Sequence, residues 1–308
     1  MSRPTQVELR TAVVLMTIAW SAAAESFRPA EMTAVSESAP PGMCRQAYAL
    51  SRLAANLGMS LGPAIGGFIA GAWFPALWLI NGAAALAAAG LLWYFLPDAR
   101  ADRSERTEGR EAPSSRGLSD PSLRYCLLAL IPIGMVFFQH VSSLPVFLVR
   151  HLRLTESFYG LLFTLNTALI VALEIPLNHA TSGWSHRRTL AVGSGLVAVG
   201  FGAHALADRA WHVVAAAVTW TFGEMIFLPG LSSYIAEISP ARRRGEYLGL
   251  FTMTFNLAFF LGPWTGLIIL DRWGPAVLWS SVFAAGMSSA LLYAFVADGG
   301  RSAIRAEP

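Results

Sequence analysis

Three ionisable residues follow one another at helical spacing in the segment ESFRPAE: Glu25, Arg28 and Glu31. Residues three apart lie on one side of a helix, so the guanidinium would stand between two carboxylates. Two interpretations are open. Protonation of one acid could release the arginine for another contact and so couple a proton to a movement. Alternatively, the group is a structural ion pair that holds a kink at Pro29.

Two further acids stand isolated in long apolar runs, Glu174 in ALEIPLN and Glu224 in WTFGEMIFLPG. A charge among apolar residues is costly, so each is expected to be neutral or to face a polar cavity. Glu224 is the strongest single candidate for a proton or cation site in the second half of the chain.

Three polar residues in other apolar runs are candidates for lining a central cavity: Gln139, His140 and Asn166. For Asn166 the favoured alternative is a hydrogen bond between helices. His140 is a candidate proton carrier because imidazole titrates near neutral pH, but a lone histidine in such a run is more often a packed polar residue.

The composition places these residues in a membrane protein. Of 308 residues, 55% are hydrophobic and 13% are charged, and the mean hydropathy is +0.50. A water-soluble chain of this size needs more charge on its surface. A formal net charge of +3 is too small to indicate a nucleic-acid partner.

Apolar runs long enough to cross a bilayer predict an all-α bundle of nine transmembrane helices. The predicted spans are residues 11–34, 47–71, 75–96, 123–148, 157–179, 189–206, 212–236, 247–270 and 275–296.

The first three spans recur as the last three at an offset of 200 residues. The matching pairs include Trp20 and Trp220, Pro29 and Pro229, Glu37 and Glu237, Asn56 and Asn256, Pro63 and Pro263, and Pro75 and Pro275. Each span and its copy are six positions apart in the order of spans, an even number, so the two copies cross the membrane in the same direction. Such a parallel repeat is typical of transporters built from two similar halves.

A glycine stripe with a proline marks the second span, in the segment GMSLGPAIGG: Gly58, Gly62, Pro63, Gly66 and Gly67. Glycines four apart lie along one side of a helix and allow close contact between helices in lipid. Its core recurs in NLAFFLGPWTG as Gly262, Pro263 and Gly266. The simpler interpretation is a tight helix crossing with a kink.

These motifs resemble the major facilitator superfamily, whose members have twelve spans in two six-helix halves. GMSLGPAIGG is similar to the GxxxGPxxGG signature of drug and proton antiporters, which implies that this helix packs on the other half and opens and closes as the halves rock. The resemblance implies that the nine spans correspond to spans four to twelve, so that three spans would precede residue 1.

Two departures from that family concern coupling. The segment SGWSHRRTL lacks the acidic residue usual in the weaker second copy of the family's cytoplasmic loop signature. The arginine usual early in the family's fourth span would fall near Thr17 and is absent.

The domain prediction follows from the repeat. Residues 1–96 are the remainder of an N-terminal half, 97–122 a cytoplasmic linker, 123–298 a six-helix C-terminal half and 299–308 a cytoplasmic tail. Most arginines, with Arg45 and Arg52 among them, are assigned to the cytoplasmic side, which agrees with the positive-inside rule.

The sequence contains no Walker motif, no catalytic constellation and no metal-ligand spacing, so it predicts neither an enzyme nor a cofactor. The predicted protein is a monomeric, multi-pass transporter of the bacterial inner membrane. It would expel hydrophobic or amphipathic small molecules in exchange for protons. The alternatives are an uptake carrier for small metabolites and a truncated product that transports nothing.

Overall fold

The computed structural model describes residue 16 and residues 27–40, 42–73, 75–95 and 116–296, with the backbone alone at 59–72, 77, 78, 95, 116, 156 and 241. Within these ranges the regular structure is entirely helical. The helices are α1 (27–38), α2 (Cys44–Trp73), α3 (Ala76–Phe95), α4 (Arg116–Ser119), α5 (Pro121–Phe137), α6 (Ser143–Arg150), α7 (Glu156–Ala180), α8 (His186–Gly202), α9 (Ala210–Ile238) and α10 (Arg244–Tyr293). Short 3₁₀ turns cover Phe138–Val141, Ala203–Leu206 and Ala241–Arg243.

Five helical segments in the described part are long and apolar enough to cross a membrane. They are Pro121–Val141, Ser157–Ala180, His186–Leu206, Ala210–Ile238 and Arg244–Tyr293, and a shorter apolar helix covers Leu79–Tyr94. The predicted all-α membrane fold is confirmed. The predicted first span, 11–34, lies largely outside the described residues.

The last of these helices contains two predicted spans. Its dihedral angles leave the helical region at Gly274, where φ is 84° and ψ is 176°. Glycine adopts a positive φ without the steric penalty that a Cβ would bring. Pro275 follows and suits the start of a helix, where no amide hydrogen is needed. The break divides α10 into the predicted spans 247–270 and 275–296.

Helix ends agree with the repeat at an offset of 200. Helix α1 ends at residue 38 and α9 at Ile238, while Gly274 in α10 corresponds to the gap between α2 and α3. The sequence repeat is therefore also a repeat of helix ends.

The predicted span 123–148 is not one continuous helix. After Phe137 the chain forms a 3₁₀ turn, and Ser142 has φ −127° and ψ −78°, outside the helical region. A break leaves backbone groups that need other partners, and the hydroxyl of Tyr159 on α7 donates to the carbonyl of His140 at 2.9 Å.

Glycines bring α8 and α9 into close contact. A Cβ built on Gly193 would lie 2.8 Å from the backbone nitrogen of Phe227, and one on Gly223 would lie 2.6 Å from that of Val197. Small residues at helix crossings allow this approach in a membrane, where water expulsion does not drive helices together. Helix α2 packs against α7 and α9. These two contacts position the candidate site.

Candidate functional site

Arg52 on α2 joins two buried acids from two other helices. Its Nε donates to Oε1 of Glu174 on α7 at 2.7 Å, and its Nη2 lies 2.6 Å from the same oxygen. Its Nη1 donates to Oε1 of Glu224 on α9 at 2.7 Å. The planar guanidinium presents its N–H groups as a fixed fork, so one side chain can serve two carboxylates at once.

Glu224 has a donor on each carboxylate oxygen. While Oε1 accepts from Arg52, Oε2 accepts from Nδ2 of Asn166 on α7 at 3.0 Å. The same Nδ2 lies 3.0 Å from Oγ1 of Thr221, which is one helical turn before Glu224. Asn166 therefore forms a hydrogen bond between helices, the alternative favoured for it, and that bond belongs to the site.

Glu174 is more deeply enclosed. Its side chain is 0% exposed and that of Arg52 is 15% exposed. Among the described residues, Oε2 of Glu174 has no hydrogen-bond partner. The neighbouring Asn178 donates from Nδ2 to the carbonyl of Glu174 at 2.9 Å and to that of Met225 at 3.0 Å, which ties α7 to α9.

A second arginine repeats the contact between α2 and α7. Nη1 of Arg45 donates to the carbonyl of Thr181 at 2.7 Å. Arg45 and Arg52 are seven residues apart, as are Glu174 and Thr181, so the two antiparallel helices meet at matching positions two turns apart.

The charges of the site do not cancel when both acids are ionised. One guanidinium then stands against two carboxylates, and the cluster of Arg52, Glu174 and Glu224 carries an excess negative charge. Excess charge at low dielectric is unfavourable, so this arrangement favours uptake of a proton or of another cation. An arrangement of this kind is chemically suited to binding one further positive charge.

His140, in the 3₁₀ turn after α5, contacts α9 one helical turn before Glu224. Its ring lies 6.1 Å from that of Trp220 in a stacked arrangement, and its Nδ1 is 2.6 Å from the carbonyl oxygen of Phe137. The aromatic stack and the backbone contact agree with the interpretation of a packed histidine. A proton-carrying role stays a prediction.

Gln139 lies between α5 and α10. Its Nε2 contacts the carbonyls of Met135 and Gly262 at 3.0 and 2.8 Å, and its Oε1 accepts from Ser143 at 2.7 Å. The side chain joins helices at a buried position. Its place along a central cavity stays a prediction.

The predicted group in the first span is only partly described. Glu25 lies outside the described residues. Arg28 and Glu31 are exposed on α1, and Oε1 of Glu31 accepts a hydrogen bond from Ser51 at 3.0 Å. The coupling role and the structural ion pair both stay predictions.

The two glycine motifs lie in different surroundings. A Cβ on Gly262 would come within 2.8 Å of the carbonyl oxygen of Met135, and one on Gly266 would collide with Gln139, so this copy packs against α5 and the turn after it. A Cβ on Gly58 would meet nothing within 4 Å. Gly62, Pro63, Gly66 and Gly67 belong to α2, at positions where the backbone alone is described.

Arg52 is the residue of this candidate site that the sequence analysis does not single out. It counts there among the arginines of the cytoplasmic side, whereas in the structure it lies beyond the second turn of α2. The available signal was its seven-residue spacing from Arg45, which places both on one face of a helix. No three His, Cys, Asp or Glu residues of the described ranges form a group that could hold a metal ion.

The family model described as Major Facilitator Superfamily matches residues 8–155 and again residues 144–298. The chain belongs to the Major Facilitator Superfamily. This is a family of membrane transporters, not of enzymes.

Relatives of this superfamily occur in Bacillus subtilis. The MFS-type transporter YttB is 22% identical over 268 residues, which cover 86% of this chain and 67% of YttB. YhjO is 23% identical and the match covers 82% of this chain and 62% of YhjO. YqjV is 25% identical over 48% of this chain and 37% of YqjV. The chain thus spans between about a third and two thirds of these curated relatives.

A solved structure shows the same fold. The human organic anion transporter MFSD10 superposes with a TM-score of 0.68 at 18% identity, over 85% of this chain and 66% of that one. At this identity the likeness concerns the fold alone.

Proposed function

We propose that this superfamily member acts in proton-coupled efflux of hydrophobic or amphipathic small molecules, with positively charged ones as the preferred class. The observation that carries the proposal is the position of Arg52 between Glu174 and Glu224. The cluster has one positive and two negative groups in a largely buried place, so it can hold one further positive charge.

Exchange follows if a proton and a cationic substrate compete for that charge. A proton neutralises one carboxylate and removes the attraction for the substrate. Loss of the proton restores the excess negative charge, which then attracts a cation. Since both cannot be accommodated together, the movement of one is tied to the movement of the other.

The cluster would also bridge the two halves of the transporter, so a relative movement of the halves would change its contacts. We propose residues 1–96 and 123–298 as parts of the two halves, joined by the cytoplasmic linker 97–122 and followed by the tail 299–308. Arg52 would then belong to one half and both acids to the other. A change of protonation would alter the strength of the contact between halves and thereby favour one side of an alternating-access cycle.

The proposed setting is the bacterial inner membrane, with a monomeric chain whose carboxyl terminus is cytoplasmic. In this orientation α2 begins near the cytoplasmic surface, and the contact of Arg45 with Thr181 would close the transporter towards the cytoplasm.

The test is efflux of a fluorescent lipophilic cation from cells that express the chain, with and without an uncoupler. We expect uncoupler-sensitive efflux that is lost in Glu224→Gln and in Glu174→Gln. Asp208→Asn is the matched control because Asp208 is 70% exposed and pairs with His212 outside the cluster. Absence of uncoupler-sensitive efflux from cells in which the chain is shown to be in the membrane would overturn the proposal. Efflux of an anionic dye alone would point to a carrier of organic anions.

A further inference from the structure

The two acids of the cluster differ in one respect that decides where a proton can reside. Both carboxylate oxygens of Glu224 accept hydrogen bonds, from Arg52 and from Asn166. In Glu174 only Oε1 has donors, and Oε2 has none among the described residues although the side chain is 0% exposed. A buried carboxylate oxygen without a donor is unfavourable, whereas a protonated one becomes a donor itself.

A second buried acceptor, one helical turn further along α7, also lacks a donor among the described residues. Asn178 follows Glu174 by one helical turn and is 0% exposed. Its Nδ2 is held by the carbonyls of Glu174 and Met225, which fixes the amide, and its Oδ1 has no donor among the described residues. Two buried acceptors on adjacent turns of α7 therefore lack donors in the described part of the chain, and the buried Nη2 of Arg52, 2.6 Å from Oε1 of Glu174, forms no hydrogen bond there either.

We propose that the exchangeable proton resides on Oε2 of Glu174 and that Oδ1 of Asn178 accepts its hydrogen bond. The proton satisfies both atoms and reduces the charge of the cluster to zero, with Arg52 balanced by Glu224. The inference rests on the proton exchange of the proposed function and assigns its two charges to separate acids: Glu174 binds the proton, and Glu224 remains ionised.

The charged groups around Glu174 agree with this division. Arg52 from α2 contacts both acids, and Glu224 faces it from α9. Beyond Glu224, His140 stacks on Trp220 without contacting Glu174 in the described structure. On release, the O–H bond of Glu174 breaks and the proton passes to water. The resulting negative charge is then balanced by the incoming cationic substrate, which we assign to the side of Glu224.

Infrared difference spectroscopy tests the assignment without requiring transport. The full chain in lipid nanodiscs is titrated from acid to alkaline pH, and the carbonyl stretch of a protonated carboxyl group is followed. We expect a band that disappears on titration in the unchanged protein. The band should be absent from Glu174→Gln and present in Glu224→Gln and in the exposed control Asp208→Asn.

A second variant keeps the assignment testable if Glu174→Gln does not fold. In Asn178→Ala the protonated carboxyl loses its acceptor, so its band should shift in frequency, whereas Thr164→Ala on the same helix should leave it in place. A band that is lost in Glu224→Gln, or retained in Glu174→Gln, or unmoved in Asn178→Ala, overturns the inference. If the band belongs to Glu174 but efflux is insensitive to uncoupler, the site assignment stands and the proposed function fails.

Discussion

Arg52 and Glu174 lie 122 positions apart in the sequence, and Nε of the arginine donates to Oε1 of the acid at 2.7 Å. The contact of Arg45 with Thr181 lies two helical turns away along both helices. These two contacts fix the register of α2 against α7 and bring Arg52 within reach of Glu224 on α9. A single side chain thus links three helices.

Replacing Arg52 should destabilise the protein and stop transport. Arg52→Leu leaves two carboxylates without their shared cation, and loss of one partner of a buried ion pair costs about 3–5 kcal/mol. Arg52→Lys should lose less stability because it keeps the charge, but an ammonium lacks the planar fork that serves both acids. The measurement is the thermal midpoint in detergent together with efflux, and Arg150→Leu, an exposed arginine on α6, is the control.

The same reasoning predicts partial recovery in a double variant. Arg52→Leu combined with Glu174→Gln removes one uncompensated charge, so it should unfold at a higher temperature than Arg52→Leu alone. Additive losses of stability from the two changes would show that the two side chains are not energetically coupled.

Asn166 should matter through Glu224. Asn166→Ala removes the donor to Oε2 of Glu224 and should cost about 1–3 kcal/mol, the usual penalty for leaving a buried polar group unsatisfied. Thr164→Ala is a matched change on the same helix, since the hydroxyl of Thr164 contacts only the Gly160 carbonyl of its own helix in the described structure. Equal thermal midpoints and equal efflux for the two variants would contradict a role for Asn166 in the site.

The two acids of the site could be predicted from the sequence, but the arginine that joins them could not. Glu174 and Glu224 were recognisable because each is a lone charge in an apolar run, which is costly unless it is paired. Their partner was not, because Arg52 lies close enough to the start of its helix to resemble a loop cation. Only the crossing of α2 over α7 and α9 makes it a buried group, and crossings depend on packing across more than a hundred residues of sequence.

Helix ends, like the site residues, are predictable from sequence where a local residue determines them and are missed where a distant contact does. The repeat and Pro275 indicated the end of a span near residue 274, because a glycine followed by a proline acts locally on the backbone. The break at Ser142 was missed although Pro145 lies in the first turn of α6, a position that suits proline, because the apolar run continues through it. At this break the carbonyl of His140 accepts a hydrogen bond from the hydroxyl of Tyr159 on α7, a contact that no local sequence pattern reveals.

Two glycines of α10 provide a matched test of packing. Gly262→Ala should destabilise by about 1–3 kcal/mol, because its Cβ would lie 2.8 Å from a backbone oxygen of α5 that cannot rotate away. A Cβ at Gly249 would meet nothing within 4 Å, so Gly249→Ala should be neutral or slightly stabilising. Thermal midpoints of the two variants in the same detergent check the difference, and a Gly262→Ala protein as stable as the unchanged one would contradict the close contact of α5 and α10.

Gly58 separates packing from gating in the first glycine motif. In the described conformation a Cβ at this position would meet nothing within 4 Å, and alanine is favoured over glycine in a helix by about 1 kcal/mol. Gly58→Ala should therefore leave the thermal midpoint unchanged or raise it. If the glycine stripe of α2 closes against the other half in a second conformation, as the resemblance of GMSLGPAIGG implies, the same variant should slow efflux several-fold because the added methyl group hinders that closure. Unchanged efflux at unchanged stability would remove Gly58 from the gate, and lower stability would instead place it in a packed contact.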